Sequence, residues 1–152
     1  MNAYRNLPTT HTNFTLSYAC DDAVNNDPSA SVKTAIAGGW TAKANPFSAW
    51  NTTYESILYI NTFLEKMDGV DWYGDEAINE KFDKKLKGEA HALRAWNYFH
   101  LLQAHAGMGS NGELLGVPIV KTVLSPNDAA EYQLPRSNFK ELVDFILEDC
   151  DL

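Results

Sequence analysis

Gly88-Glu89-Ala90-His91-Ala92-Leu93-Arg94-Ala95-Trp96-Asn97-Tyr98-Phe99-His100-Leu101-Leu102-Gln103-Ala104-His105-Ala106-Gly107 is the stretch whose reading decides the fold. It is rich in residues that enter a helix at low cost and ends at a glycine suited to a helix C-terminus. At about 100° per residue, Ala92, Ala95, Trp96, Phe99, Leu102 and Ala106 share one broad face. Ala90, Leu93, Leu101 and Ala104 lie on the other side. A helix apolar on both sides is sandwiched between neighbours, and its alanines let them approach closely, as in helical repeat arrays. This reading puts Leu93, Trp96 and Phe99 in the core. Arg94, set among these apolar residues, packs its stem and ties its head to a carboxylate or a carbonyl.

Upstream, residues 47–67 read as a helix with a stripe of Trp50, Tyr54, Ile57, Asn61 and Leu64, widened by Leu58 and Ile60, and with Ser48 as N-cap. Asn61 on an apolar stripe needs a partner, and a bond to a neighbouring backbone is the expected one. Asp68 to Gly74 is turn-rich. The long helix then starts at Ala77 or Ile78 and runs to about Ala106, with Lys81, Lys84, Lys85 and Lys87 as a solvated face. Residues 107–116 hold four glycines and read as a flexible loop, Val117 to Val123 as an extended segment, and Pro126 to Pro135 as irregular chain. Ser137 is the expected cap of a last helix, with Phe139, Leu142, Val143, Ile146, Leu147 and Cys150 on its apolar side. Residues 1–46 form a polar, loop-rich segment with a short helix from Ser31 to Ala37, and residues 47–152 a helical region. No repeat of fixed period is evident.

Composition narrows the function. A chain of 152 residues with 45% hydrophobic and 12% aromatic content builds one globular domain. A net charge of −8 disfavours a nucleic-acid partner and adhesion to anionic lipid. No run of apolar residues is long enough for a membrane span, and the first twenty residues lack the apolar core of a signal peptide. Cys20 and Cys150 give no disulfide framework and read as separate thiols. Gly107-Met108-Gly109-Ser110-Asn111-Gly112 spells G-x-G-x-x-G, but a helix precedes it, whereas a dinucleotide site needs a strand before it and a helix after. His91, His100 and His105 lack the i,i+4 spacing of a metal pair, so no metal or other cofactor is expected. No nucleophile or carboxylate pair stands out as catalytic.

Three motifs in order carry a family resemblance. The central one runs from Gly88 to Phe99, with Gly107 and Gly116-Val117-Pro118-Ile119-Val120 beyond it. It is flanked by Trp50-x3-Tyr54-x2-Ile57-x3-Asn61-x-Phe63-Leu64 and by Pro135-Arg136-Ser137 with Leu142-x3-Ile146-x2-Asp149. Asp21-Asp22-Ala23 is a weaker echo. Together they resemble the SusD/RagB family. The resemblance implies an all-α, tetratricopeptide-like helical repeat array with long irregular loops. It also implies a Bacteroidetes-type cell-surface lipoprotein of the outer membrane, active in nutrient uptake. Such a protein binds a glycan or oligosaccharide and delivers it to a SusC-like TonB-dependent transporter, without catalysis. Its membrane contact is a lipid anchor missing from this chain, so the chain is expected to be an internal or truncated piece.

Sugar binding needs flat aromatic faces against C–H-rich ring faces, with amides and charged groups for the hydroxyls. Loop aromatics are therefore the candidates: Trp40 with Lys43 and Asn45 beside it, and Trp72 with Tyr73. Packing the loop down is the competing role for each. Trp50 and Trp96 lie on helix stripes and are assigned to the core. An alternative function is a tetratricopeptide-like adaptor that binds proteins.

Overall fold

The computed structural model describes residues 2–6, 26, 33, 36–39, 41, 45, 50–72, 74–124 and 133–151. The described elements are helices α1 (Asn2–Arg5), α2 (Trp50–Lys66), α3 (Glu76–His105) and α4 (Phe139–Cys150), with two-residue strands β1 (Gly107–Met108) and β2 (Leu114–Leu115) between α3 and α4. The fold is all-α with long irregular connections, as expected. The chain packs as two units, Pro8–Ala49 and the remainder, each described here by itself. In the smaller unit Lys33 and Ile36 are helical, and the Ala37 amide donates to the Lys33 carbonyl at 3.0 Å. The rest of the expected helix at Ser31–Ala37 lies outside the described residues.

In the larger unit, α2 and α4 both pack on α3. The α2 helix buries Thr53, Ser56, Ile57, Ile60 and Asn61; its expected cap Ser48 lies outside the described residues. After α2 the chain turns over Gly69, whose φ of +79° favours a residue without Cβ. Asp75 caps α3 by accepting from the Ile78 amide at 3.0 Å, which starts the helix at Glu76, slightly before the expected Ala77. At the other end Ala106 is the C-cap in an extended conformation, and Gly107 opens β1 instead of forming a left-handed cap. The G-x-G-x-x-G stretch is an ordered hairpin, not a flexible loop. Gly107 pairs with Leu115 and Met108 with Leu114, the Gly109 amide donates to Glu113 O at 2.8 Å, and Gly112 takes φ +81° at the turn.

The sandwiched reading of α3 needs a correction. Tyr98, Leu101, Ala90 and Ala95 are buried, but Trp96 is 43% exposed, Phe99 40% exposed and Leu93 only half-buried. The reason is the position of the two partners: α2 and α4 meet the side of α3 that carries Arg94, Tyr98 and Leu101, and the stripe through Ala92, Trp96 and Phe99 faces outward. The core joins Ile57 of α2, Tyr98 and Leu101 of α3, Val117 of the connector, and Leu142 and Phe145 of α4.

The last helix also differs in detail. Its cap is Asn138, not Ser137. The Asn138 side chain accepts from the Lys140 amide at 2.8 Å, and Glu141 accepts from the Asn138 amide at 2.9 Å, completing a capping box. The Ser137 hydroxyl instead donates to Val117 O at 2.7 Å. Leu147 and Cys150 are exposed, while Asp149 is only 3% exposed.

That buried acid organises the unit. Arg94 Nε and Nη2 each donate to one oxygen of Asp149 at 2.7 Å. His91 Nδ1 lies 2.8 Å from Oδ1; a carboxylate only accepts, so this nitrogen carries the proton. Arg94 Nη1 donates to Asn61 Oδ1 at 2.9 Å, and Asn61 Nδ2 donates to Val120 O at 2.9 Å and Thr122 O at 3.3 Å. Both expected ties, at Arg94 and at Asn61, are present.

The connector, residues 116–124, runs extended with no strand of its own, and helix side chains hold its backbone. Tyr98 Oη accepts from the Val120 amide at 2.7 Å, Tyr54 Oη donates to Pro118 O at 2.7 Å, and Glu65 accepts from the Val123 amide at 2.7 Å. Burial pushes the Tyr98 phenol up to about 12, so it stays a hydroxyl that can both accept and donate. At Gly116 the connector passes the start of α4 so closely that a Cβ would lie 2.7 Å from Ser137 Oγ and 2.9 Å from Leu142 Cδ2.

Two predictions follow from this packing. Asp149→Ala strands Arg94 in the interior and is expected to cost about 3–5 kcal/mol by denaturant unfolding, whereas the paired change Arg94→Met with Asp149→Leu should recover much of that loss. A single-variant loss below about 1 kcal/mol would show that the ion pair does not hold α4. Gly116→Ala is expected to cost about 1–3 kcal/mol through overpacking, read as a lower denaturant midpoint at unchanged slope.

Candidate functional site

Of the five residues expected to meet a ligand, Trp40, Lys43 and Tyr73 lie outside the described residues. Asn45, in the smaller unit, is half-buried and engaged in a non-covalent interaction. Trp72, in the larger unit, is half-buried in the turn between α2 and α3. Its amide donates to Asn79 Oδ1 at 2.7 Å, and its ring meets Phe82 edge-on at 5.9 Å. Its Nε1 is buried without a partner among the described residues. Trp72 is therefore fixed to the first turns of α3.

Two clefts open on the larger unit, and sequence reasoning identified neither. The first, about 560 Å³, lies between α2 and the connector, lined by Trp50, Tyr54, Leu58, Pro118 and Leu134. Trp50, expected in the core, is half-buried here with its ring 4.9 Å from Tyr54 and 5.0 Å from His105. Burial, and then the neighbouring Tyr98, raise the Tyr54 phenol well above its ordinary range, and its hydroxyl is already given to Pro118. No charged side chain lines this cleft.

The second cleft, about 640 Å³, lies beside α1, between α2 and α3. Tyr4, Tyr59, Phe63, Lys66, Glu89 and Leu93 are among its lining residues. The signal for it was available: Tyr59, Phe63 and Lys66 fall at i, i+4 and i+7 on α2, off the main apolar stripe. Tyr59 Oη donates to Glu55 Oε1 at 3.0 Å, and Asn6 Nδ2 donates to the other oxygen of Glu55 at 3.4 Å.

The histidines are dispersed. His91 serves Asp149, His105 packs on Trp50, and His100 sits 4.6 Å from Trp96 and 5.8 Å from Phe99. Among the described residues no group of three or more His, Cys, Asp or Glu could hold a metal ion, and no helix is long and apolar enough to cross a membrane. Cys150 is exposed and forms no disulfide among the described residues.

Residues 2–152 match the SusD-like family, described as "Starch-binding associating with outer membrane". The chain belongs to the SusD-like family. Two solved structures share its fold. A SusD-like protein from Bacteroides fragilis superposes with a TM-score of 0.71 at 24% identity, over 97% of this chain and 26% of that one. A SusD superfamily protein from the same organism gives a TM-score of 0.70 at 20% identity, over 93% of this chain and 32% of that one. The chain thus spans about a quarter to a third of the length of these SusD-like proteins. No curated protein matches it. Membership makes the helical hairpin of α2 and α3 tetratricopeptide-like, with α4 packed on it.

Burial lowers the pKa of His100 below its ordinary 6.5, and burial together with Arg136 lowers that of His105. The unfolded chain therefore takes up these two protons at a higher pH than the folded chain does. Their contribution to stability is complete above about pH 6.5 and is lost as pH falls through the lowered folded values. Denaturant midpoints measured between about pH 7.5 and 5 should fall, and should fall less in a His100→Gln, His105→Gln double variant. An identical slope in the variant would assign the acid sensitivity to other groups.

Proposed function

We propose that this chain is part of a cell-surface glycan-binding protein that passes oligosaccharides to a SusC-like TonB-dependent transporter and breaks no bond. The observation that carries the reading is the family match over residues 2–152, whose description joins starch binding to the outer membrane. Carriage to the surface is then the work of a lipid anchor. The helical region, residues 47–152, supplies a scaffold fixed by the Arg94–Asp149 pair. The loop-rich residues 1–46 and the α2–α3 turn supply ligand contacts. Trp40, with Lys43 and Asn45 as hydroxyl partners, and Trp72, with Tyr73, are the proposed contact residues.

The physical logic is that of delivery. A transport receptor must release what it binds, so a few stacked rings and exchangeable hydroxyl bonds suit it better than a closed, dry pocket. The reading as a protein-binding adaptor draws support from one observation, the outward stripe of Trp96 and Phe99 on α3.

Calorimetry with a panel of neutral oligosaccharides, including maltohexaose, tests the proposal. Trp40→Ala and Trp72→Ala are each expected to weaken binding several-fold to about tenfold, the loss of one stacked ring. Trp40→Ala should leave the melting temperature nearly unchanged. Absence of binding across the panel, with capture of peptide ligands instead, would favour the adaptor.

A further inference from the structure

We propose that the cleft beside α1 is a second carbohydrate-contact surface, separate from the loop aromatics, that takes a short neutral oligosaccharide. The inference rests on the glycan-binding reading and goes beyond it by placing sugar beside α1, on the flanks of α2 and α3.

The cleft combines two kinds of group. Tyr4 is 48% exposed and Tyr59 36% exposed, and with half-buried Phe63 they line the opening with aromatic side chains. Lys66 and Glu89, both exposed, line the same opening, and among the described residues neither makes an ion pair. Lys84 pairs with Glu80, Lys87 with Asp68 and Asp83, and Lys140 with Asp144.

Charge then selects the occupant. Lys66 and Glu89 give the opening a strong donor and a strong acceptor, and the nearby Glu55 carboxylate, held by Tyr59 and Asn6, disfavours an anionic occupant. Sugar hydroxyls satisfy both groups while the C–H face of a ring stacks on tyrosine. An apolar protein segment of the same shape would bury Lys66 and Glu89 without partners, which is costly. The cleft volume of about 640 Å³ falls within the usual range of small-ligand sites, about 300–1,000 Å³. The bond from Tyr59 to Glu55 holds one of the platforms in place before any ligand arrives. The cleft at Trp50 is similar in size, but no charged side chain lines it and its Tyr54 hydroxyl is committed to Pro118.

The test uses the whole chain and the same oligosaccharide panel. Tyr4→Ala, Tyr59→Leu, Lys66→Ala and Glu89→Gln are each expected to weaken binding by about three- to tenfold with unchanged melting temperature. On labelled protein, amide shifts on adding the bound sugar should include Tyr59, Lys66 and Glu89. Should Tyr59→Leu fail to fold, Lys66→Ala and Glu89→Gln, which alter only exposed side chains, still decide the matter. Wild-type affinity in those two variants overturns the inference and leaves the glycan-binding reading standing, the more clearly if Trp40→Ala or Trp72→Ala does weaken binding. If no oligosaccharide of the panel binds the wild-type chain, both fall.

Discussion

A single buried carboxylate sets the terms for the larger unit. Asp149 sits one residue from the end of α4, and a charge so far from water is tolerable only with a full set of donors. Arg94 and His91 provide them from α3, and Arg94 in turn engages Asn61 of α2, which grips the connector. Three helices and one extended segment are thereby tied to one point. The arrangement specifies as much as it stabilises. If α4 slid along α3 by one turn, Asp149 would leave Arg94 and the guanidinium would be buried alone. Burial of Leu142 and Phe145 by itself tolerates small displacements, but a bidentate ion pair does not.

The helical part of this design was legible in the sequence because helices repeat. The stripe from Trp50 to Leu64 and the run from Gly88 to Gly107 carry period and length enough to fix their identity. A polar residue on such a stripe announces that it needs a partner, and so Asn61 and Arg94 could be read as structural ties. What their period could not say was which neighbour covers which side. Ala90–Tyr98–Leu101 and Ala92–Trp96–Phe99 are equally apolar in sequence, and only the positions of α2 and α4 distinguish them. Asp149 belongs to the third motif, but its role as the partner of Arg94 escaped notice for a related reason. With Glu148 before it and Asp151 two residues on, it looks like one more solvated acid, and its partner is 55 residues away. The choice between Ser137 and Asn138 as cap, by contrast, was open to inspection, because Glu141 stands at the capping-box distance from Asn138 alone.

The candidate site was less legible, and the cause is again physical. Loops have no period, so Trp40 and Trp72 could be chosen by chemistry but not by position. The cleft residues Tyr59 and Phe63 do lie on a helix, yet on its flank, where an aromatic ring reads as ordinary packing. Their exposure depends on how α1 settles beside α2, an arrangement that four residues of helix do not signal in advance. The hairpin at Gly107 to Leu115 was missed because strands of two residues are too short to show alternation.

The connector has a bearing on how such a protein can change. Its carbonyls and amides at Pro118, Val120, Thr122 and Val123 are held by Tyr54, Tyr98, Asn61 and Glu65. The helices therefore recognise the segment by its main chain, which every amino acid shares. Val117 is also buried, Ile119 packs on the core and Lys121 lies over the Phe145 ring, whereas the exposed side chain of Thr122 stands outside these contacts. The segment behaves like a cable in fixed clips: at its exposed point, Thr122, the insulation can be replaced without moving the wire. New recognition chemistry could be written there, a few ångströms from the buried ion pair, with the scaffold beneath left as it is.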